Sequence, residues 1–369
     1  MPPTTHPLAG LRVLDLSRVL AGPLCTMTLG DLGASVLKVE RPGTGDETRG
    51  WGPPFDADGE SAYFLSVNRN KLSLALDLDL PADRELLLRL AGDADVVVEN
   101  FRPGTLERRR IVPADLLAAS QRLVWCRLTG FGPESGRPGY DVVVQAESGW
   151  MAITGEPEGA PMKVGVALAD VCAGKDAAVA ILACLASRAR LAPADRMLTI
   201  SLAHSATAGL VNVAQNALVT GREPGRWGNA HPNLVPYQLF HAADRPFILA
   251  VGNDAQWLAC CQAVERPDLA GDPRYLRNAG RVEHRAELVA SLAETFRARA
   301  AADWLQRLEQ GGVPAGIVRK VSEALADVRA DAKTGIAPLT PGSVRLPPPR
   351  LDQHGPLVRE RAWGAFDSL

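Results

Sequence analysis

Short runs of β-branched and aliphatic residues alternate with helix-forming stretches through the first half of the chain, and this alternation constrains the fold more than any other feature. Arg12 to Leu16, Val36 to Glu40, Leu72 to Leu76, Val96 to Glu99 and Val124 to Leu128 each have the length and residue types of a buried strand. Between them, Gly22 to Leu32 opens with Pro23 in a first-turn position and Pro81 to Ala94 opens on proline, as helix starts prefer. Strand, helix, strand in that rhythm gives a mostly parallel sheet flanked by helices, an α/β class.

Further on, Asp141 to Ile153, Val171 to Ser187 and His204 to Val219 read as helices and Met197 to Leu202 as a strand. "GREPGRWGNAHPNLVPYQ", Gly221 to Gln238, interrupts the pattern with glycine and proline and reads as a linker. Beyond it, one strand, Pro246 to Val251, and a set of charged helices through Gln310 make a smaller second domain. The proline-rich "LTPGSVRLPPPRLDQHG" is expected to pack back as an extended arm. The expected partition is therefore 1–215 for the large domain, 222–320 for the small one, and 321–369 returning to the first.

A net charge of −2 argues against a nucleic-acid partner, because neutralising phosphates needs a dense basic surface. The most apolar window, Ala177 to Ala186, is half a membrane span, and "MPPTTHPLAG" carries no apolar signal core, so neither a membrane nor export is expected. Six cysteines without C-x-x-C spacing fit a reducing cytoplasm. The dispersed histidines supply no metal-ligand spacing.

The first strand-to-helix turn, "LSRVLAGPLCT", has one glycine, Gly22, and cannot make the three-glycine cradle of a dinucleotide cofactor. "GFGPESGRPG", Gly130 to Gly139, lacks the Lys-Ser/Thr of a phosphate loop and reads as an ordinary loop near a site. Cations instead recur at strand ends and turns: Arg41, Arg69, Lys71, Arg108 to Arg110 and Arg137. Singly each is an ordinary surface charge; together, where open α/β sheets bind ligands, they point to a polyphosphate.

Asp170 is the one acidic residue at the junction of an extended apolar run and a long apolar helix, in "VGVALADVCAG". It can cap the helix, or it can be held ionised by the helix end as a nucleophile toward an activated carbonyl. No G-x-S-x-G elbow offers a serine alternative.

Several long stretches carry a resemblance: "LRVLDLSRVLAGPLCTMTLGDLGASVLKVERPGTGDETRGW", "NRNKLSLALDL", "VVVENFRPG", "PGYDVVVQAESGWMAITGEPEGAP", "VGVALADVCAG" and "GNAHPNLVPYQ". In that order and over nearly the whole chain, they resemble class III CoA-transferases, the family of formyl-CoA and carnitine CoA-transferases. The resemblance implies a Rossmann-like large domain, a smaller α+β domain and two chains interlocked as a homodimer. It implies Asp170 as the catalytic residue and, for the CoA thioester substrate, Leu20, Ala21, Arg41, Asn68 to Lys71, Asn100, Phe101, Arg102, Arg108, and Arg137 to Tyr140. No resident cofactor and no metal are implied. "WGNAHPN", with Gly228 and Asn229, stands where the family places a glycine-bearing loop.

The quoted segments look most like members that use succinyl-CoA and small dicarboxylic acids, with Arg49 or His231 expected to meet the distal carboxylate. His231 can equally be a loop histidine beside Pro232. Two rivals remain: an α-methylacyl-CoA racemase, whose "GHD" motif is replaced here by Gly139-Tyr140-Asp141, a neutral phenol being a poor base; and a noncatalytic CoA-binding protein. Departures from the family are the "RARLAPADRM" turn and the closing "GPLVRERAWGAFDSL".

Overall fold

A computed structural model describes residues 6–368, which divide into two compact units. Among the described residues the larger comprises 6–151, 163–223 and 328–368; the smaller comprises 152–162 and 224–327. The smaller unit runs from 224 to 327, where the sequence reading placed 222–320, and it also takes in 152–162, which the sequence pattern does not reveal. The expected helix from Asp141 to Ile153 is broken just before this crossing: Asp141–Glu147 ends at Ser148, and Gly149 takes φ +91°, a conformation open chiefly to glycine.

The larger unit is built on six parallel strands: β1 (Arg12–Asp15), β2 (Ser35–Glu40), β3 (Lys71–Ala75), β4 (Val96–Glu99), β5 (Val124–Thr129) and β6 (Met197–Ser201). Their order is β3-β2-β1-β4-β5-β6, the doubly wound arrangement. Both faces are covered, which is why the strands read as unbroken apolar runs. Leu14, Leu37, Leu72 and Val97 face one side and pack with Leu86, Leu90 and Trp363; Val13, Val36, Val96 and Cys126 face the other and pack with Cys25, Ala173 and Ala177. The order reverses between β1 and β4, and a crevice opens there beyond their carboxyl ends.

On the second face, the Ala21–Asp31 and Leu168–Ser187 helices approach closely. Small residues permit it: a Cβ on Gly174 would stand 2.6 Å from the Ala21 carbonyl oxygen. This contact brings the start of one helix against the start of the other, which places Asp170.

The proline-rich arm runs back along the β3 edge. Asn70 donates its backbone N–H to the Leu346 carbonyl at 2.9 Å, Ala75 donates to Asp352 Oδ1 at 2.7 Å, and Arg345 reaches the carbonyls of Gly30 and Ala34. The chain then forms a Gly355–Arg361 helix with Pro356 in its first turn, and Trp363 donates its indole N–H to the Leu90 carbonyl at 3.0 Å.

The smaller unit holds an antiparallel sheet of β7 (Tyr237–His241), β8 (Pro246–Ala250) and β9 (Ala315–Ile317). Helices including Asp254–Ala263 and Arg285–Phe296 pack on it around Phe240, Phe247, Phe296 and Trp304.

Candidate active site

The turn after β1 is the first wall of the crevice. Val19 takes φ +70° there, a conformation that costs a β-branched residue on the order of 1–3 kcal/mol. It persists because its neighbours fix the backbone. The Asn100 side chain accepts from the Arg18 N–H at 3.0 Å and donates to the Arg18 carbonyl at 2.7 Å, while both Asp46 carboxylate oxygens accept from the Val19 N–H at 3.2 Å. Asp46 is in turn seated on Lys38 at 3.0 Å, with both side chains fully enclosed.

Asp170 faces this turn. Its helix starts at Leu168, so Asp170 lies in the first turn and not at the cap; the cap position, Ala167, has no side-chain acceptor. Asp141 supplies one instead, accepting from the N–H of Ala169 at 2.7 Å and of Asp170 at 3.4 Å. Gln145 holds Asp141, donating to its Oδ2 at 2.6 Å.

The expectation of a carboxylate kept ionised by the helix end requires correction. Burial and the nearby Asp141 charge push Asp170 up to about 7, opposed by the Ala21 backbone N–H directed at the carboxylate. That N–H is free to do so because it opens a helix whose cap, Leu20, offers no side-chain acceptor. Tyr63, which no sequence motif singled out, lies within the field of the same acids. Burial and the charges of Asp170, Asp141 and Asp46 push its phenol up to about 12, so it is a neutral donor at physiological pH.

Asp170 is 9% exposed and lines a cleft of about 220 Å³ together with Ala21, Asn100, Phe101, Arg137 and Tyr140. The far wall is the 130–139 loop, closed on itself at two glycines: a Cβ on Gly139 would stand 2.3 Å from the Gly130 Cα. Arg18, Glu47, Phe101 and Arg102 also line a second cleft, of about 630 Å³, beyond the ends of β1, β2 and β3. Arg41 and Arg109 stand at that cleft. The two clefts thus share four wall residues, with exposed cations at one and a buried carboxylate at the other.

Other expected ligands lie elsewhere. Asn68 and Lys71 are fully enclosed: Lys71 Nζ donates to Asp15 at 3.0 Å, to the Pro23 carbonyl at 2.9 Å and to Asn68 Oδ1 at 2.9 Å. Burial pulls this ammonium down to about 8 against the attraction of Asp15. Arg69 is paired with Asp31 at 2.7 Å. In this stretch the cations stabilise the sheet edge and do not line either cleft.

Arg49 is likewise engaged, bridging Glu40 at 2.8 Å and Glu60 at 2.9 Å with its guanidinium 3.7 Å over the Phe64 ring. A substrate carboxylate would have to displace an internal one. Arg108 is exposed and lines neither cleft; Arg109, one residue on, does so while paired with Asp79. Leu20 is half-buried in the strained turn. Arg137 lines the Asp170 cleft but its charge is shared with Glu147 at 2.6 Å.

Gly228, Asn229 and His231 belong to the smaller unit. Gly228 takes φ +56° and donates its N–H to the Gly155 carbonyl at 3.0 Å. His231 Nδ1 accepts from the Asn233 N–H at 3.0 Å, and its ring leans on Tyr237.

A doubly wound sheet with a buried carboxylate at one cleft by its switch point and arginines at the next defines an α/β fold of Rossmann-like architecture. The chain belongs to CoA-transferase family III, whose model matches residues 8–355. It is 42% identical over 326 residues to the succinyl-CoA:glutarate CoA-transferase of Mus musculus, covering 88% of this chain and 74% of that protein. It is 40% identical to the succinyl-CoA:mesaconate CoA-transferase of Haloarcula marismortui, covering 87% of this chain and 82% of that one. Among solved structures, a CaiB/BaiF family protein from Brucella suis superposes with a TM-score of 0.84 at 39% identity, over 96% of this chain and 98% of that one.

Proposed function

We propose that the enzyme moves CoA from an acyl-CoA donor, succinyl-CoA in the first instance, to a small carboxylic or dicarboxylic acid through an aspartyl-CoA thioester on Asp170. The observation that carries this reading is the position of Asp170 in a cleft that shares wall residues with the neighbouring cleft lined by Arg41, Arg102 and Arg109. An extended thioester with a charged nucleotide end fits that distribution of charge. The relatives' named activities support the choice of substrates.

The steps balance without a proton donor. An Asp170 carboxylate oxygen attacks the thioester carbon; the C–S bond breaks, leaving CoA thiolate and a mixed anhydride. The thiolate attacks the Asp170 acyl carbon and expels the donor carboxylate, giving aspartyl-CoA. The acceptor carboxylate attacks that thioester, thiolate leaves, and its return to the acceptor acyl carbon frees Asp170. Each exchange links acyl groups of similar reactivity, so positioning and stabilisation of the oxyanion carry the catalysis, and no resident cofactor is needed. The Ala21 N–H, which lines the same cleft, is the proposed donor.

The enzyme is proposed to be a cytoplasmic homodimer. The Val211–Thr220 helix buries none of its residues, and Val211, Leu218 and Val219 are 69%, 79% and 75% exposed, an apolar face of the kind that partners cover. Light scattering giving twice the chain mass supports this; a monomer at micromolar concentration contradicts it. Among the described residues no helix is long and apolar enough to cross a membrane.

Incubation with succinyl-CoA and a panel of C4 to C6 acids tests the substrate assignment. New acyl-CoA with at least one acid is expected, and transfer to none contradicts it. Incorporation of solvent deuterium at the α-carbon of a branched acyl-CoA, without transfer, is the result that would favour racemisation.

A further inference from the structure

We propose that Asp46 is a positioning residue for acyl transfer: by holding the Val19 amide it keeps the 18–21 turn in the shape that presents the Ala21 N–H to Asp170. The proposal rests on Asp170 being the acyl acceptor and adds a part of the machinery outside its cleft.

A chain of contacts links Asp46 to the Asp170 cleft. Left to itself, a valine relaxes out of φ +70°, and that rotation would carry Leu20 and Ala21 with it. Asn100 fixes the peptide before Val19 and Asp46 fixes Val19 itself. Two residues further, Ala21 lines the cleft beside Asp170, its helix held against the Asp170 helix at Gly174, with its N–H directed at the carboxylate. Asp46 also accepts from the Thr48 N–H at 3.1 Å and its hydroxyl at 2.9 Å, so its carboxylate is aimed and not merely charged.

Asp46 has a second boundary. It lines the outer cleft beside Thr44, Gly45 and Arg41, whereas Val19 lines the inner one. Its N–H donates to Glu40 Oε2 at 3.0 Å, and Lys38, which pairs with it, donates to the Ser17 carbonyl at 2.8 Å. The segment that meets the outer end of the substrate is thus bonded directly to the turn that meets the reacting end.

The test is a double-substitution cycle on the full-length enzyme, with kcat and KM for the acyl-CoA donor measured separately. Asp46→Asn keeps the shape and loses the charge that holds Val19. It is expected to lower kcat about tenfold with KM changed less than about threefold. Glycine occupies positive φ without strain, so in a Val19→Gly background the same Asp46→Asn change is expected to cost less than about twofold. An equal loss in both backgrounds overturns the proposal, as does a folded Asp46→Asn enzyme with unaltered kcat.

Should Asp46→Asn leave Lys38 too exposed to charge imbalance to fold, Thr48→Val removes one of the bonds aiming Asp46 at nearly constant volume. Its kcat is expected to fall about threefold and to be restored toward the Val19→Gly value in the double variant; an unchanged kcat counts against the proposal. Transfer that survives Asp170→Ala removes the underlying reading. Transfer lost in Asp170→Ala yet untouched in Asp46→Asn and Thr48→Val removes this inference alone.

Discussion

Asp141 caps the helix that carries Asp170, its Oδ1 accepting the Asp170 N–H at 3.4 Å as well as that of Ala169 at 2.7 Å. One acid therefore fixes the other in place and, by its charge, makes the other harder to ionise. The arrangement makes the Asp170 carboxylate more basic than an ordinary one while leaving it able to ionise near neutrality.

The pH dependence follows with a defined sign. Only ionised Asp170 attacks, so adduct formation rises through a midpoint near pH 7 and at pH 6 runs about tenfold below its plateau. Asp141→Asn removes the like charge and moves that midpoint to lower pH, at the cost of part of the helix cap, about 1 kcal/mol of stability. Rapid-quench rates from pH 5 to 9 for both enzymes check this; a midpoint that stays fixed contradicts it.

The same burial has a cost in stability. The folded chain holds a proton on Asp170 up to about pH 7, whereas its ordinary carboxylate value is 3.8, so this group's contribution to stability falls as pH rises across that window. Asp170→Asn is expected to be more stable than the parent above pH 7 by up to about 4 kcal/mol, and not below pH 4. Thermal melts at pH 4 and pH 8 in the absence of CoA compare the two.

Gly174 sets the approach of the two helices. Gly174→Ala puts a methyl 2.6 Å from the Ala21 carbonyl, pushing Asp170 away from the turn. A shift of an ångström at a reacting group costs up to about a hundredfold in rate, so kcat is expected to fall ten- to hundredfold in a protein that still folds. Gly165→Ala, where a Cβ meets nothing within 4 Å, serves as the control.

Exposed Arg41 stands at the outer cleft and forms no ion pair among the described residues. Arg41→Ala is expected to raise KM for the acyl-CoA about three- to tenfold at low salt and by less at high salt, since ions screen over about 10 Å at 0.1 M. Initial rates at two ionic strengths give the comparison.

What the sequence made legible was the local part. Runs such as "VVVE" and "VWCRLT" show the strands because a sheet covered on both faces needs uninterrupted apolar residues. Asp170 stood out because it is the sole charge at the head of an apolar helix. Its capping role did not hold, since the helix begins two residues earlier and its acceptor comes from Asp141, 29 positions away in the chain. Arg49 and Lys71 looked available for the same reason: Glu40, Glu60 and Asp15, which engage them, are neighbours only after folding. Tyr63 and Asp46 carry no motif, and only the folded chain brings the first within the field of Asp170 and the second onto the Val19 amide.

The most direct measurement is mass spectrometry of the enzyme mixed with succinyl-CoA alone and quenched with hydroxylamine. A hydroxamate on the peptide containing Asp170, absent from Asp170→Ala enzyme that still binds CoA, is the predicted result. An unmodified Asp170 in an enzyme that turns over, or a label on another residue, contradicts the account.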